Sequence, residues 1–195
     1  VEFYKACKSA GIKPIIGCEV YVASGSRFEK TKSAESGADH LVLLCENQKG
    51  YENLIYLVSQ GFIEGFYGKP RVDMDMLRAH SAGLIACSAC LGGEIPRRLL
   101  ANDYEGAKAH ALKMRDIFGE DGYYLELQDH GIDEQRPVNQ GVMRLARETG
   151  LPLVVSNDAH YLRREDAEMQ DVLLCIQTGK TVDEENRMKF QTDEF

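Results

Sequence analysis

The chain has 195 residues, of which 44% are hydrophobic and 28% charged, with a formal net charge of −8. That length supports one α/β domain with a buried core, and the acidic balance argues against a domain that grips nucleic acid mainly through phosphates, which takes clustered Lys and Arg. No apolar run reaches the ~20 residues that span a bilayer, and no segment reads as a signal peptide, so a cytoplasmic location is expected.

Residues 1–10 carry a helical pattern with Phe3, Tyr4, Cys7 and Ala10 on one face, ended by Gly11. Residues 14–23 (PIIGCEVYVA) read as a strand rich in β-branched side chains. The polar stretch 24–38 reads as a long loop, and 40–45 (HLVLLC) as a short apolar strand. Residues 48–60 read as a helix, followed by a Gly-rich aromatic loop over 61–70. A short helix opens at Asp73, which is placed to cap it. Then come a strand over 83–89 (GLIACSA), a short helix over 94–100 and an amphipathic helix over 103–118 closed by Gly119. A strand over 123–127 (YYLEL), a helix over 133–149 closed by Gly150, a strand over 151–156 and a helix over 164–177 complete the pattern, and residues 178–195 are polar and irregular.

Strands separated by helices argue for βαβ units, a parallel sheet and a single domain over 1–195. The two available architectures are a doubly wound sheet and a (β/α) barrel. No GxGxxG follows the first strand and no GxxxxGK[ST] occurs, which removes the usual nucleotide-binding support for the doubly wound sheet. Three of the six cysteines, Cys45, Cys87 and Cys175, lie inside apolar stretches and read as buried free thiols. The chain starts at Val1 inside a helical pattern and stops at Phe195 after a loop-like stretch, so it reads as a fragment of a longer protein.

Sites in parallel α/β folds form at the C-terminal ends of strands, and most candidate ligands fall there. Cys90 follows GLIACSA, His130 follows YYLELQD, and Asp158 and His160 follow LPLVVSN. Carboxylate and imidazole together suit Zn, Mn or Fe, ions that polarise phosphoryl oxygens. Asp158 and His160, two residues apart in a polar turn, can face one ion; the alternative is a capping Asp and a surface His. Glu19 lies in an otherwise apolar strand, where a carboxylate is costly unless paired or metal-bound; the alternative is that it faces solvent. Cys87 and Cys90 form one CxxC, weak as a zinc signal, and read better as a core thiol and a strand-tip thiol. Gly92 and Gly93 allow close backbone approach beside Cys90. His40 opens its strand, at the wrong end of a parallel sheet, unless the loop 24–38 returns that strand antiparallel and brings His40 beside Glu19. His80 and His110 read as solvated, and Asp73 and Asp75 as helix-start acids.

The runs FYKACKSAGIKPIIGCEVYVA, DHLVLLCENQKGYENLIYLVS, LIACSACLGGEIP, YYLELQDHG and VVSNDAHYL occur in order across essentially the whole chain. Together they resemble the polymerase-and-histidinol-phosphatase (PHP) domain, in the version found at the N-terminus of bacterial replicative DNA polymerases. The resemblance implies an α/β fold, a distorted (β/α)7 TIM-like barrel of the PHP type with metal ions at its C-terminal rim. It implies a barrel incomplete at its N-terminal edge, with the first strands, an HxH motif and a DHG-type motif upstream of Val1 and the polymerase palm, thumb and fingers downstream of Phe195. By resemblance Glu19, His40, Cys90, Asp158 and His160 match metal-ligand positions, with His130 near the rim as a further candidate and Asp158 and His160 as catalytic residues. The implied function is part of a replicative polymerase, with this domain a metal-dependent phosphoesterase acting as a 3′→5′ proofreading exonuclease. The alternatives are a metal-stabilised scaffold and a stand-alone histidinol-phosphatase-like enzyme. Implied cofactors are Zn, Mn or Fe here and Mg for the parent polymerase. Implied partners are DNA through the parent chain, a sliding clamp and a proofreading subunit, with no membrane. The sequence assigns no nucleic-acid-binding residue.

Overall fold

A computed structural model of the chain describes residues 1–31 and 37–195. Its sheet is built outward from one antiparallel strand pair. β1 (Gly17–Ala23) runs against β2 (Ala38–Cys45), with Tyr21 opposite His40 and Glu19 opposite Val42. Side chains alternate across each strand. Val20, Val22, Leu41 and Leu43 therefore share one face and are buried, while Glu19, Tyr21, His40 and Val42 share the other and are more open.

β3 (Arg71–Val72) lies parallel to β1, and β4 (Leu84–Cys87) antiparallel to β2. β5 (Tyr123–Leu127) is parallel to β4, and β6 (Leu153–Val155) is parallel to β5. The order is β3-β1-β2-β4-β5-β6. The sheet is therefore mixed, and β2 runs against both of its neighbours. This corrects the expectation of a parallel sheet and puts the start of β2 at the same rim as the ends of the other strands. The six-stranded mixed α/β sheet agrees with the TIM-like PHP fold, with β3 and β6 at its ends.

Helices cover the apolar face. α1 (Glu2–Ser9) buries nothing, whereas α2 (Gln48–Ile63) buries Gly50, Asn53, Leu54, Leu57 and Gly61 on one stripe. That stripe carries α2 through Gly61 to Ile63, beyond the loop boundary expected from its Gly-rich sequence. α3 (Met74–Ala79) starts as expected: the Asp73 carboxylate accepts from the Met76 N–H at 3.0 Å and also holds Arg27. α4 (Glu94–Leu100) leads into α5 (Tyr104–Phe118), which buries Ala107, Ala111 and Met114. α6 (Gln135–Thr149) buries Val138, Val142 and Leu145 at helical spacing. A 3-10 turn (Arg164–Asp166) enters α7 (Ala167–Thr178). The expected loop 24–38 shows turns and bends over 24–31, and its residues 32–36 lie outside the described residues. Among the described residues, no helix is long and apolar enough to cross a membrane.

Candidate metal centre

The reversed direction of β2 creates the site. His40, at the start of β2, places its Nδ1 2.9 Å from Glu19 Oε1 and 3.6 Å from Cys90 Sγ. Ligand atoms of Glu19, His40 and Cys90 all lie within 4.8 Å of one another. The three residues come from the middle of β1, the start of β2 and the loop after β4. Cys87 is buried in the strand and Cys90 stands beyond its tip.

Hydrogen bonding to Cys90 and to Glu19 pushes the His40 imidazole up to about 10, against the effect of its burial. The His40 hydrogen bond in turn holds the Glu19 carboxyl below its ordinary range, again against burial. Nδ1 of His40 faces a carboxylate oxygen and a sulfur, so the three donor atoms meet at one point and the set fits a cation. Carboxylate oxygen, imidazole nitrogen and thiol sulfur together match Zn or Fe well, and Mn less well because of the sulfur.

The turn after β4 is shaped for this approach. The His40 N–H donates to the Gly92 carbonyl at 3.0 Å, and the Gly93 N–H to the Cys90 carbonyl at 2.9 Å. A Cβ on Gly92 would stand 3.1 Å from His40 Nδ1, and one on Gly93 would stand 2.3 Å from the Ser88 carbonyl oxygen. Of the glycine pair noted in the sequence, Gly92 thus packs against the imidazole and Gly93 against the backbone of its own turn.

Asp158 and His160 lie at the same rim, after β6, but outside the cluster of three. His160 is near enough to Glu19 to act on its carboxyl electrostatically. Its Nδ1 donates to the Asp158 carbonyl oxygen at 2.7 Å, which leaves the lone pair on Nε2. Backbone-carbonyl anchoring of this kind is how ligating histidines are oriented. The ring packs against Phe190 and Phe195, with centroids 4.7 and 5.8 Å away. Asp158 has φ of 40°, a backbone conformation that non-glycine residues seldom adopt.

Two histidines sit in surroundings that the sequence did not show. His130 is fully buried: its Nδ1 accepts from the Gln135 amide at 2.7 Å and its Nε2 donates to the Asn157 carbonyl at 2.8 Å. Both ring nitrogens are hydrogen-bonded, so His130 braces the loop after β5. His110 is not solvated either: its side chain is 13% exposed and its Nδ1 lies 3.4 Å from Glu94 Oε1.

Sequence reasoning missed Glu126. It sits in β5 on the same sheet face as Glu19 and His40 and is 7% exposed. Its Oε2 accepts from the Ala89 N–H at 2.5 Å and its Oε1 from the Ser156 hydroxyl at 2.6 Å. The usable signal was a lone carboxylate in the apolar run YYLEL, the same signal that singled out Glu19.

The mixed sheet brings a carboxylate, an imidazole and a thiol together at one rim, a group of a kind that could hold a metal ion, and residues 1–130 match the PHP domain. The chain belongs to the PHP domain family. Over its whole length it is 50% identical to a DNA polymerase III subunit alpha of Borreliella burgdorferi, 48% to one of Treponema pallidum and 47% to one of Thermus aquaticus. It spans 17%, 17% and 16% of the lengths of those three relatives.

Proposed function

We propose that this chain is the PHP portion of a bacterial replicative DNA polymerase subunit. In this reading, residues outside the chain carry template-directed synthesis, using Mg, and the PHP portion is one domain acting as a metal-dependent 3′→5′ exonuclease. The convergence of Glu19, His40 and Cys90 at one rim carries the reading. The identity to polymerase subunits over the full chain supports the parent activity. The small share of those relatives that it spans weighs against a stand-alone histidinol-phosphatase-like enzyme. Cytoplasmic location, DNA as substrate, and a sliding clamp and proofreading subunit as partners follow from the same reading.

A divalent cation at this rim supplies Lewis acidity for phosphodiester hydrolysis. Glu19, His40 and Cys90 would hold it. Asp158 and His160, anchored to each other through the Asp158 carbonyl, would add ligands from the facing loop and position the scissile phosphate.

The test is 3′→5′ degradation of single-stranded DNA by the complete polypeptide with Mn or Zn, beside His40→Ala, Asp158→Ala and His160→Ala. Activity that all three substitutions remove is the expected result. Bound metal without degradation would overturn the exonuclease reading and leave a metal-stabilised scaffold.

A further inference from the structure

Two turns with unfavourable backbone conformations carry the residues of the proposed centre. Ala89, next to Cys90, has φ of 63°, and Asp158 has φ of 40°. L residues other than Asn and Asp avoid this region because Cβ crowds the backbone, so Ala89 in particular needs something to hold it. Both turns hang from Glu126. Its Oε2 takes the Ala89 N–H, and its Oε1 takes the hydroxyl of Ser156, two residues before Asp158. The Glu126 N–H donates to Ser88 Oγ at 2.8 Å, and the Gln128 amide donates to Ser156 Oγ at 3.2 Å. One buried carboxylate therefore ties the end of β4 to the end of β6 across β5.

We infer that Glu126 is a positioning residue that fixes the Cys90 turn and the Asp158–His160 turn at one spacing, so that both can serve one cation. This rests on the metal-centre reading above. Glu126 lies outside the group of Glu19, His40 and Cys90, and each of its oxygens accepts a hydrogen bond inside the sheet. Its charge makes both bonds strong, and burial makes their loss costly. Glutamine at this position retains one carbonyl acceptor for Ala89 and offers an amide N–H to the Ser156 oxygen, so it preserves the tie. Alanine removes both side-chain ties and leaves only the backbone bond to Ser88 and the Gln128 bond to Ser156.

The experiment is Co(II) titration of the complete polypeptide, read by affinity and by the near-ultraviolet charge-transfer band of a cobalt–thiolate bond. Loss of an orienting partner lowers metal affinity by roughly 10–100-fold. Glu126→Ala is expected to show that loss and a weakened thiolate band, while Glu126→Gln stays near the parent in both. Ser156→Ala releases only the second turn, so it is expected to bind Co(II) about tenfold more weakly with the thiolate band intact. Should Glu126→Ala not fold, Glu126→Gln and Ser156→Ala still decide the matter. Parent-like affinity in Ser156→Ala, or parent-like affinity and band in a folded Glu126→Ala of lowered melting temperature, would reduce Glu126 to a stabilising group and overturn the inference. Co(II) binding that His40→Ala leaves unchanged would instead overturn the metal centre, and this inference with it.

Discussion

Nδ1 of His40 lies 2.9 Å from Oε1 of Glu19, diagonally across the antiparallel pair in which His40 stands opposite Tyr21. Side chains on one face of neighbouring strands approach closely enough to interact along such diagonals. The Tyr21 ring meets the His40 ring edge-on at 5.1 Å and fixes the side from which the imidazole faces Glu19 and Cys90.

Removing the imidazole takes away the member that both other donors touch. His40→Ala is expected to lower Zn affinity by more than roughly 100-fold, beyond the range for losing a mere orienting partner. A competition titration against a chromophoric chelator measures it. An unchanged affinity would place the ion elsewhere.

The other face of the same strand gives the complementary case. Leu43 is fully buried in the core beneath the helices. Leu43→Ala is expected to cost about 2–5 kcal/mol of stability through lost burial and a residual cavity. Denaturant unfolding measures that cost, and metal affinity in the folded variant should stay within a few-fold of the parent.

Gly92→Ala tests the close approach at the site. The new Cβ would meet His40 Nδ1 at 3.1 Å, tighter than ordinary packing, and the ring must give by a few tenths of an ångström. Zn affinity is expected to fall on the order of tenfold, as for a misoriented ligand. The helices that form the core are not involved, so far-ultraviolet circular dichroism should not change.

Glu94 sets an acid limit on stability. Burial pushes its carboxyl up, but His110 and Arg98 outweigh burial and bring it down to about 2. Arg98 reaches it at 2.9 and 2.7 Å. An unfolded Glu titrates near 4.3. The folded state therefore binds fewer protons at this group, so the stabilisation is fully present above about pH 4.3 and is lost as pH falls toward about 2. Glu94→Gln is expected to flatten that part of the acid unfolding curve, measured as urea midpoints between pH 5 and about pH 2. A parallel decline in parent and variant would mean that other carboxylates govern it.

The alternation of apolar residues located most elements because it reports the local backbone, strand by strand and helix by helix. It placed the strand containing Glu19, the tip carrying Cys90, the Asp73 cap and the turn holding Asp158 and His160. It ended α2 too early, because a buried stripe through Gly61 outweighs glycine's poor helix propensity. It did not see β3, whose two residues are too few for any period. Direction and partnership are not local quantities. The antiparallel course of β2 remained one option among two until the pairing of Tyr21 with His40 decided it. His130 was a further rim candidate in sequence, and only the structure shows its ring held by Gln135 and Asn157. Glu126 became visible only once β4, β5 and β6 were side by side, with Ala89 and Ser156 brought to its two oxygens. Sequence alone thus determined most of the elements and the residue types able to bind a cation. Which of those residues meet was decided by strand order and direction, because these depend on packing between segments far apart in the chain.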